Sequence, residues 1–316
     1  MSVRPLPQLL SIIVPMYNEE KNVNLFIDSL ISILNTQNYL FEIICINDGS
    51  TDGTLLTLLT KQQSIPQLII LDFARNFGKE AALTAGMDHA QGEVVVPIDA
   101  DLQHPPQLIP VMIAKWQEGY DMVLAKRSSR NDESYLKRFS AYIFYKLINS
   151  LSDTKIFEDV GDFRLLDQKV INVIRNLPER HRFMKGIFSW PGFNSITITF
   201  DVQARNAGNS KWSFFKLLSL AMNGLASHTT FPLRVAGYIG LAISLCSLTY
   251  AAWLVIKTIA YGGDVPGYAS LMVGITLLGG IQLTFMGILG GYLGRVYNEV
   301  KQRPIYVLRE VIYAVK

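Results

Sequence analysis

Val94-Val95-Val96-Pro97-Ile98-Asp99-Ala100-Asp101-Leu102-Gln103-His104-Pro105-Pro106 runs from a β-branched apolar segment into an acidic pair, and two prolines then reset the backbone for a helix start. In extended backbone residues i and i+2 point the same way, so Asp99 and Asp101 can present both carboxylates to one side of the strand's end. Two carboxylates facing one point repel each other unless a cation lies between them. Mg²⁺ or Mn²⁺ takes one or two protein carboxylates and fills its shell with phosphate oxygens and water. The pair is therefore a candidate seat for a metal-bound nucleotide diphosphate. A lone Asp-x-Asp can equally do no more than solvate a strand end, so the flanking chain decides between the two.

Upstream, Leu10–Pro15 is an apolar strand, and Tyr17-Asn18-Glu19-Glu20 turns it into a helix with Val23, Phe26, Ile27, Leu30 and Leu34 on one face. Phe41–Ile46 is a second strand, ending in the turn-rich loop Asn47-Asp48-Gly49-Ser50-Thr51-Asp52-Gly53-Thr54 before a helix from Leu55. Leu68–Asp72 is a third, followed by Arg75-Asn76-Phe77-Gly78-Lys79 and a helix through Ala90. Glu93–Ile98 is the fourth strand, with a helix around Leu108–Glu118 behind it, and Met122–Ala125 is the fifth. Strands alternating with helices predict an α/β domain, a Rossmann-like and mainly parallel sheet covered on both faces. In such sheets the reactive polar residues lie just beyond the strands' carboxyl ends. Tyr17, Asn18, Glu19, Asp48, Asp52, Arg75, Lys79, Asp99 and Asp101 all fall there, which favours the metal–diphosphate reading. No G-x-G-x-x-G follows the first strand and the second loop lacks a P-loop lysine, which disfavours a dinucleotide dehydrogenase or an ordinary ATPase.

The chain has 316 residues, of which only 17% are charged, and the apolar excess is concentrated near its C-terminus. Val235–Ile256 and Ala269–Leu293 contain no Asp, Glu, Lys, Arg or His, and each is long enough to cross a hydrocarbon core of about 30 Å. The apolar run Leu9–Val14 is too short for a secretory signal and suits a core strand. Lys211, Lys216 and Arg234 precede the first span and Arg295, Lys301, Arg303, Arg309 and Lys316 follow the second, whereas the connection Tyr261–Gly267 carries only Asp264. The positive-inside rule then places both termini and the catalytic part in the cytoplasm, in a multi-pass protein of the plasma (inner) membrane. The predicted layout is a catalytic domain over 1–210, an amphipathic juxtamembrane helix over 211–232, two transmembrane helices over 233–294 joined by an external loop at 260–268, and a basic tail over 295–316. The segment from Trp212 to His228 mixes Phe214, Phe215, Leu217, Leu218, Ala221 and Leu225 with Lys216 and the preceding Lys211; it suits the membrane interface or, alternatively, the surface of the catalytic domain. A net charge of +3 is too small to suggest a nucleic acid partner. Cys45 and Cys246 lie in different regions and indicate neither a disulfide nor a thiolate metal site. Gly287-x-x-x-Gly291 and Gly290-x-x-x-Gly294 permit close helix packing, within the chain or in a homo-oligomer.

Pro15-x-Tyr17-Asn18-Glu19, the loop from Asn47 to Thr54, Asn76-x-Gly78-Lys79 and Asp99-Ala100-Asp101-Leu102-Gln103-His104-Pro105 together resemble the successive motifs of glycosyltransferase family 2, the inverting GT-A enzymes. Gly161-x-Phe163-Arg164 and Arg205-x-x-Gly208-x-Ser210-Lys211-Trp212 are similar to polyprenyl-phosphate glycosyltransferases of the dolichol-phosphate mannose synthase kind. Gly291-Tyr292-Leu293-Gly294-Arg295 and the tail behind it resemble the bacterial branch that includes GtrB-type bactoprenol glucosyltransferases. The resemblance implies a nucleotide-sugar donor, most simply UDP-glucose, and an undecaprenyl or other polyprenyl phosphate acceptor. On that pattern Pro15, Tyr17, Glu19, Asp48, Lys79, Asp99 and Gln103 bind the nucleotide sugar. Asp101 is the direct metal ligand, with Asp99 sharing the ion or lying nearer the ribose. Arg127, Arg130, Arg138, Arg205 and Lys211 are candidates for the acceptor phosphate, Arg205 and Lys211 also counting as catalytic. Asp159 is expected to act as general base or to orient the acceptor, with Asp162 the competing choice, and His104 and His181 as site or structural histidines. Mannose or an aminoarabinose derivative is the alternative sugar, and a silent membrane scaffold the alternative function. A processive polysaccharide synthase is disfavoured by the lack of a Q-x-x-R-W-type motif.

Overall fold

The computed structural model describes residues 4–37, 39–128, 160–180, 182–200, 231–261 and 267–314. They fall into two units, one holding a sheet and including the chain from Arg303 onward, the other holding two long apolar helices. The sheet strands are β1 (Leu10–Met16), β2 (Phe41–Asn47), β3 (Leu68–Phe73), β4 (Val94–Pro97), β5 (Met122–Arg127), β6 (Val160–Asp167), β7 (Ser195–Phe200) and β8 (Leu308–Ile312). Their order across the sheet is β7-β5-β6-β4-β1-β2-β3-β8. The five strands expected from the apolar runs are β1 to β5, with ends shifted by a residue or two. β1, β2, β3 and β4 pair in parallel, as do β5 and β7, while β6 and β8 run against their neighbours.

Every residue of β2 is buried, as a parallel strand covered on both faces requires. Along β1 the side chains alternate between the two layers. Leu10, Ile12, Val14 and Met16 join the core beneath α1 (Glu20–Thr36), α2 (Thr54–Gln62) and α4 (Leu108–Gln117), and Ile13 joins the core beneath α3 (Lys79–His89) and α5 (Gln168–Arg175). α1 buries Val23, Phe26, Ile27, Leu30 and Leu34, the stripe its spacing predicted. α3 lies close to the sheet through small residues: a Cβ on Gly86 would stand 2.3 Å from Ile13 Cγ2. A short helix, α6 (Met184–Ser189), packs into the same layer.

Two reversals decide what meets what. Because β6 is antiparallel between β4 and β5, its first residues come to the sheet edge where the parallel strands end, with Val160 opposite Lys126. β8 belongs to the stretch expected as a basic tail, and the structure makes it an edge strand instead. Ile312 pairs with Ile70 and Glu310 with Asp72. Gln62 Nε2 donates to the Leu68 and Ile312 carbonyls at 2.8 Å each, the Tyr306 ring stacks on Phe73 at 5.3 Å, and Arg309 meets Asp72 at 3.0 Å.

In the second unit α7 (Phe231–Tyr261) and α8 (Tyr268–Val300) contain Val235–Ala260 and Val273–Val300, long and apolar enough to cross a membrane. α7 begins at the last two residues of the expected juxtamembrane helix, whose remainder lies outside the described residues. α8 runs six residues past the expected end of its span.

Candidate active site

The chain steps outward from β1 through β2 to β3 and then returns to the other side of β1 as β4. Such a switch point opens a crevice beyond the strands' carboxyl ends, the usual ligand position in open α/β sheets. The loops after β1 and β2 form its first wall and are joined by hydrogen bonds, some of them to the Glu20 and Asp52 carboxylates. Asn18, in the left-handed region at φ 56°, accepts the Thr51 N–H at 2.8 Å on its side-chain oxygen, and its own N–H donates to Ser50 Oγ at 3.0 Å. The Glu19 N–H donates to Thr54 Oγ1 at 2.9 Å, and Glu19 Oε2 accepts from the Asn22 amide at 2.6 Å. Pro15 and Glu19 are half-buried, and Tyr17 keeps 48% of its surface exposed. Gly49 has φ 63°, and a Cβ there would stand 2.4 Å from the Arg75 carbonyl carbon, so only glycine lets the second loop approach the third.

Asp48 is buried, and both its oxygens are engaged by the protein: the Phe77 N–H donates at 2.7 Å and the Gly78 N–H at 3.0 Å. Burial pushes its carboxyl above the ordinary value in spite of these bonds. Asp48, expected to reach the donor's base or ribose, also anchors the turn into α3.

That turn delivers Lys79. Its ammonium lies 2.6 Å from Asp99 Oδ1, 2.8 Å from Asp99 Oδ2 and 2.7 Å from Asp162 Oδ2, bridging the end of β4 and the start of β6. Burial works against the ammonium, yet the two carboxylates outweigh it and hold its pKa above the usual lysine value. Burial likewise opposes ionisation of Asp162, but Lys79 first, then Arg164 and Lys185, hold its carboxyl below the usual range. At Glu80 the pull of Lys79 and Lys185 is outweighed. Burial and then the charge of Asp162 push it to about 7, and it accepts the Met184 N–H at 3.1 Å. Arg164 is buried over the Phe188 ring at 4.1 Å and donates to the Gly161 carbonyl; burial lowers its pKa to about 10.

Leu102, between the metal-site candidates, is left-handed at φ 60°, a costly conformation for a γ-branched residue at a functional turn. Asp101 Oδ1 accepts the Gln103 N–H at 3.1 Å, and Gln103 Oε1 accepts from Arg127 at 3.4 Å. Arg127, expected on the acceptor side, is therefore brought to the loop that carries Asp101 and Gln103. His104 is buried between Phe163 at 5.3 Å and Phe200 at 5.7 Å, with Nδ1 4.0 Å from Asp99 and without a hydrogen-bond partner among the described residues. Burial lowers its pKa, so it forms a neutral wall at neutral pH. Asp159, Arg130, Arg138, His181, Arg205 and Lys211 lie outside the described residues.

Among the described residues no three His, Cys, Asp or Glu side chains gather as a metal cluster. Mg²⁺ and Mn²⁺ need none when phosphate oxygens and water complete the shell. The donors at hand, the Asp101 and Asp99 carboxylates and the Gln103 amide oxygen, are all hard oxygens and fit such an ion. Sequence alone did not reveal Lys79 as the bridge to Asp162, nor Glu80 as a perturbed carboxyl. The one signal was the Gly161-x-Phe163-Arg164 motif, which marked the start of β6 without saying what it faces.

A match to Glycosyl transferase family 2 covers residues 11–175, the span from β1 to the end of α5. The chain belongs to that family. It is 51% identical over 302 residues to the Synechocystis protein described as an uncharacterized glycosyltransferase, sll0501, covering 96% of this chain and 95% of that one. Identity to the SfII prophage-derived bactoprenol glucosyl transferase of Shigella flexneri is 48% over 301 residues, or 95% of this chain and 97% of the relative. The prophage bactoprenol glucosyl transferase homolog of Escherichia coli K12 is 46% identical over 302 residues, 96% and 99% of the two chains. As a family 2 member with the GT-A-like sheet described above, the protein is a glycosyltransferase, and its motif-bearing loops surround the β1/β4 crevice.

Proposed function

We propose that this enzyme transfers glucose from UDP-glucose, with inversion, to a polyprenyl phosphate such as undecaprenyl phosphate at the cytoplasmic face of the plasma membrane. The observation that carries the reading is the succession of oxygen donors Asp99, Asp101 and Gln103 after β4 at the switch point, with Lys79 bonded to Asp99 and Arg127 to Gln103, in a chain that also bears two bare apolar helices. The glucosyl and bactoprenol parts are supported by the names of relatives that align over nearly the whole chain.

In the proposed step an acceptor phosphate oxygen attacks the anomeric carbon from the face opposite UDP; the new C–O bond forms as the bond to the diphosphate breaks, and UDP leaves. A phosphate monoester with a second pKa of about 6 is already largely dianionic near neutral pH, so the nucleophile needs little help from a base. The larger barrier is the approach of two anions. Mg²⁺ or Mn²⁺, held by Asp101 with Asp99 or Gln103, would supply charge neutralisation at the leaving diphosphate. Lys79 stands beside that seat, and Arg127 together with Arg138, Arg205 and Lys211 is assigned to the acceptor phosphate. Asp159 is assigned to orient that phosphate. Pro15, Tyr17 and Glu19 line the nucleotide pocket, and Asp48 acts by fixing the turn before Lys79.

The placement at a membrane is supported by the helices' surfaces. Leu248, Ile259 and Leu283 are 72%, 82% and 71% exposed, and apolar area on this scale calls for lipid. Tyr250 stacks on Trp253, and Lys257 lies over the same indole at 5.1 Å, a grouping suited to a membrane–water boundary. Because β8 follows α8 yet pairs with β3, the chain has to come back to the side it left, which supports two crossings with the catalytic unit and C-terminus on one side.

The test is transfer of radiolabelled sugar from a panel of UDP- and GDP-sugars to undecaprenyl phosphate, with and without EDTA. Label entering the lipid phase from UDP-glucose alone, and lost with EDTA, is the expected result. Label from GDP-mannose or an aminoarabinose donor instead would overturn the sugar, and no label from well-folded protein that binds UDP would overturn the reaction.

A further inference from the structure

Lys79 poses a problem for a metal seat. Its ammonium touches both oxygens of Asp99, the carboxylate that a metal ion would share with Asp101. It is not there by chance of a long side chain. Gly78, at φ 96°, turns the backbone so that Lys79 opens α3, and Asp48 holds the Phe77 and Gly78 N–H groups that set this turn. On the far side the ammonium is gripped by Asp162, which is ionised because Lys79, Arg164 and Lys185 surround it. One positive charge thus serves two carboxylates from different strands, and Lys79 keeps 43% of its side chain exposed, leaving it room to swing.

We propose that Lys79 is a resident counter-cation that competes with the metal ion for Asp99, and that Asp162 is the positioning residue that tempers this competition by drawing part of the ammonium's charge away from Asp99. Without nucleotide, the ammonium neutralises Asp99 and keeps metal affinity low. When donor and metal arrive together, the diphosphate offers the ammonium an alternative anion and Asp99 is released to the ion. Metal and nucleotide then bind in a mutually dependent way, as linkage between two ligands sharing one switchable group demands. The inference rests on the assignment of Asp99 and Asp101 to a metal seat.

Mn²⁺ binding to the full-length protein in detergent or nanodiscs, followed by the free-ion EPR signal without nucleotide, tests it separately from activity. Lys79→Met should bind Mn²⁺ about tenfold more tightly, because an attached unit charge at contact distance has been removed, while its affinity for UDP falls. Asp162→Asn should move the other way, binding Mn²⁺ several-fold more weakly, since the ammonium then has only Asp99. Lys185→Ala, which removes a charge near Asp162 without bridging Asp99, should change Mn²⁺ affinity less than twofold. Tighter Mn²⁺ with weaker UDP is a split that loss of structure would not produce. Equal or weaker Mn²⁺ binding in Lys79→Met, or unchanged binding in Asp162→Asn, overturns the inference while leaving the metal seat standing. If Mn²⁺ binds neither the wild type nor any variant, the seat itself fails and the inference falls with it.

Discussion

The two walls of the crevice are built from different interactions. After β1 and β2, Asn18, Ser50, Thr51, Thr54 and Asp48 exchange neutral or backbone hydrogen bonds that satisfy each other inside the protein. Around β4 and β6, Lys79, Asp99 and Asp162 are held by charge, Arg127 donates to the Gln103 amide oxygen, and His104 Nδ1 and Arg164 Nε are buried without hydrogen-bond partners among the described residues. A hydrogen-bonded loop offers a ligand nothing it can take without loss. A set of paired charges can be re-partnered by a phosphate or a cation, so the first wall acts as scaffold and the second as the place where chemistry rearranges.

The contrast can be broken or sharpened by substitution. The largest effect is expected at Asp101→Ala: transfer should fall by about a thousandfold or more with the thermal transition nearly unchanged, because a reactive group is lost and no packing is. Activity that survives it would move catalysis away from the charged wall. Gly49→Ala should do the reverse, lowering stability by about 2–4 kcal/mol through a Cβ 2.4 Å from the Arg75 backbone and a strained φ, read as a fall in the midpoint of chemical denaturation. Arg309→Met should cost about 1–2 kcal/mol, since the buried Asp72 loses one of its two side-chain partners among the described residues and keeps the bond from Asn47 at 2.7 Å. That loss would show β8 to be part of the sheet's stability, whereas no change would make it an ornament.

An effect of similar size appears only with pH. Glu80 has its folded pKa raised from 4.5 to about 7, by burial and then by Asp162. The folded state therefore binds this proton more tightly than the unfolded state, and the stability it contributes is complete below about pH 4.5 and lost as pH rises through about 7. Glu80→Gln, which keeps an acceptor for the Met184 N–H, should match the wild type near pH 4 and exceed it by about 1–2 kcal/mol at pH 8. Thermal melts at the two pH values check both the size and the sign.

What the sequence by itself determined is the local part. The strand and helix periods of β1 to β5, the place of Asp99 and Asp101 at a strand's end, and the two apolar stretches are set by neighbours within a few residues, so they can be read in order. The partners of those residues were decided only by the tertiary structure. Asp162 reaches Lys79 because β6 runs backwards between β4 and β5, and Arg309 reaches Asp72 across 237 positions because the chain after α8 rejoins the sheet. Strand order and direction follow from how whole faces bury against each other, and a side chain's own sequence neighbours carry no record of that choice.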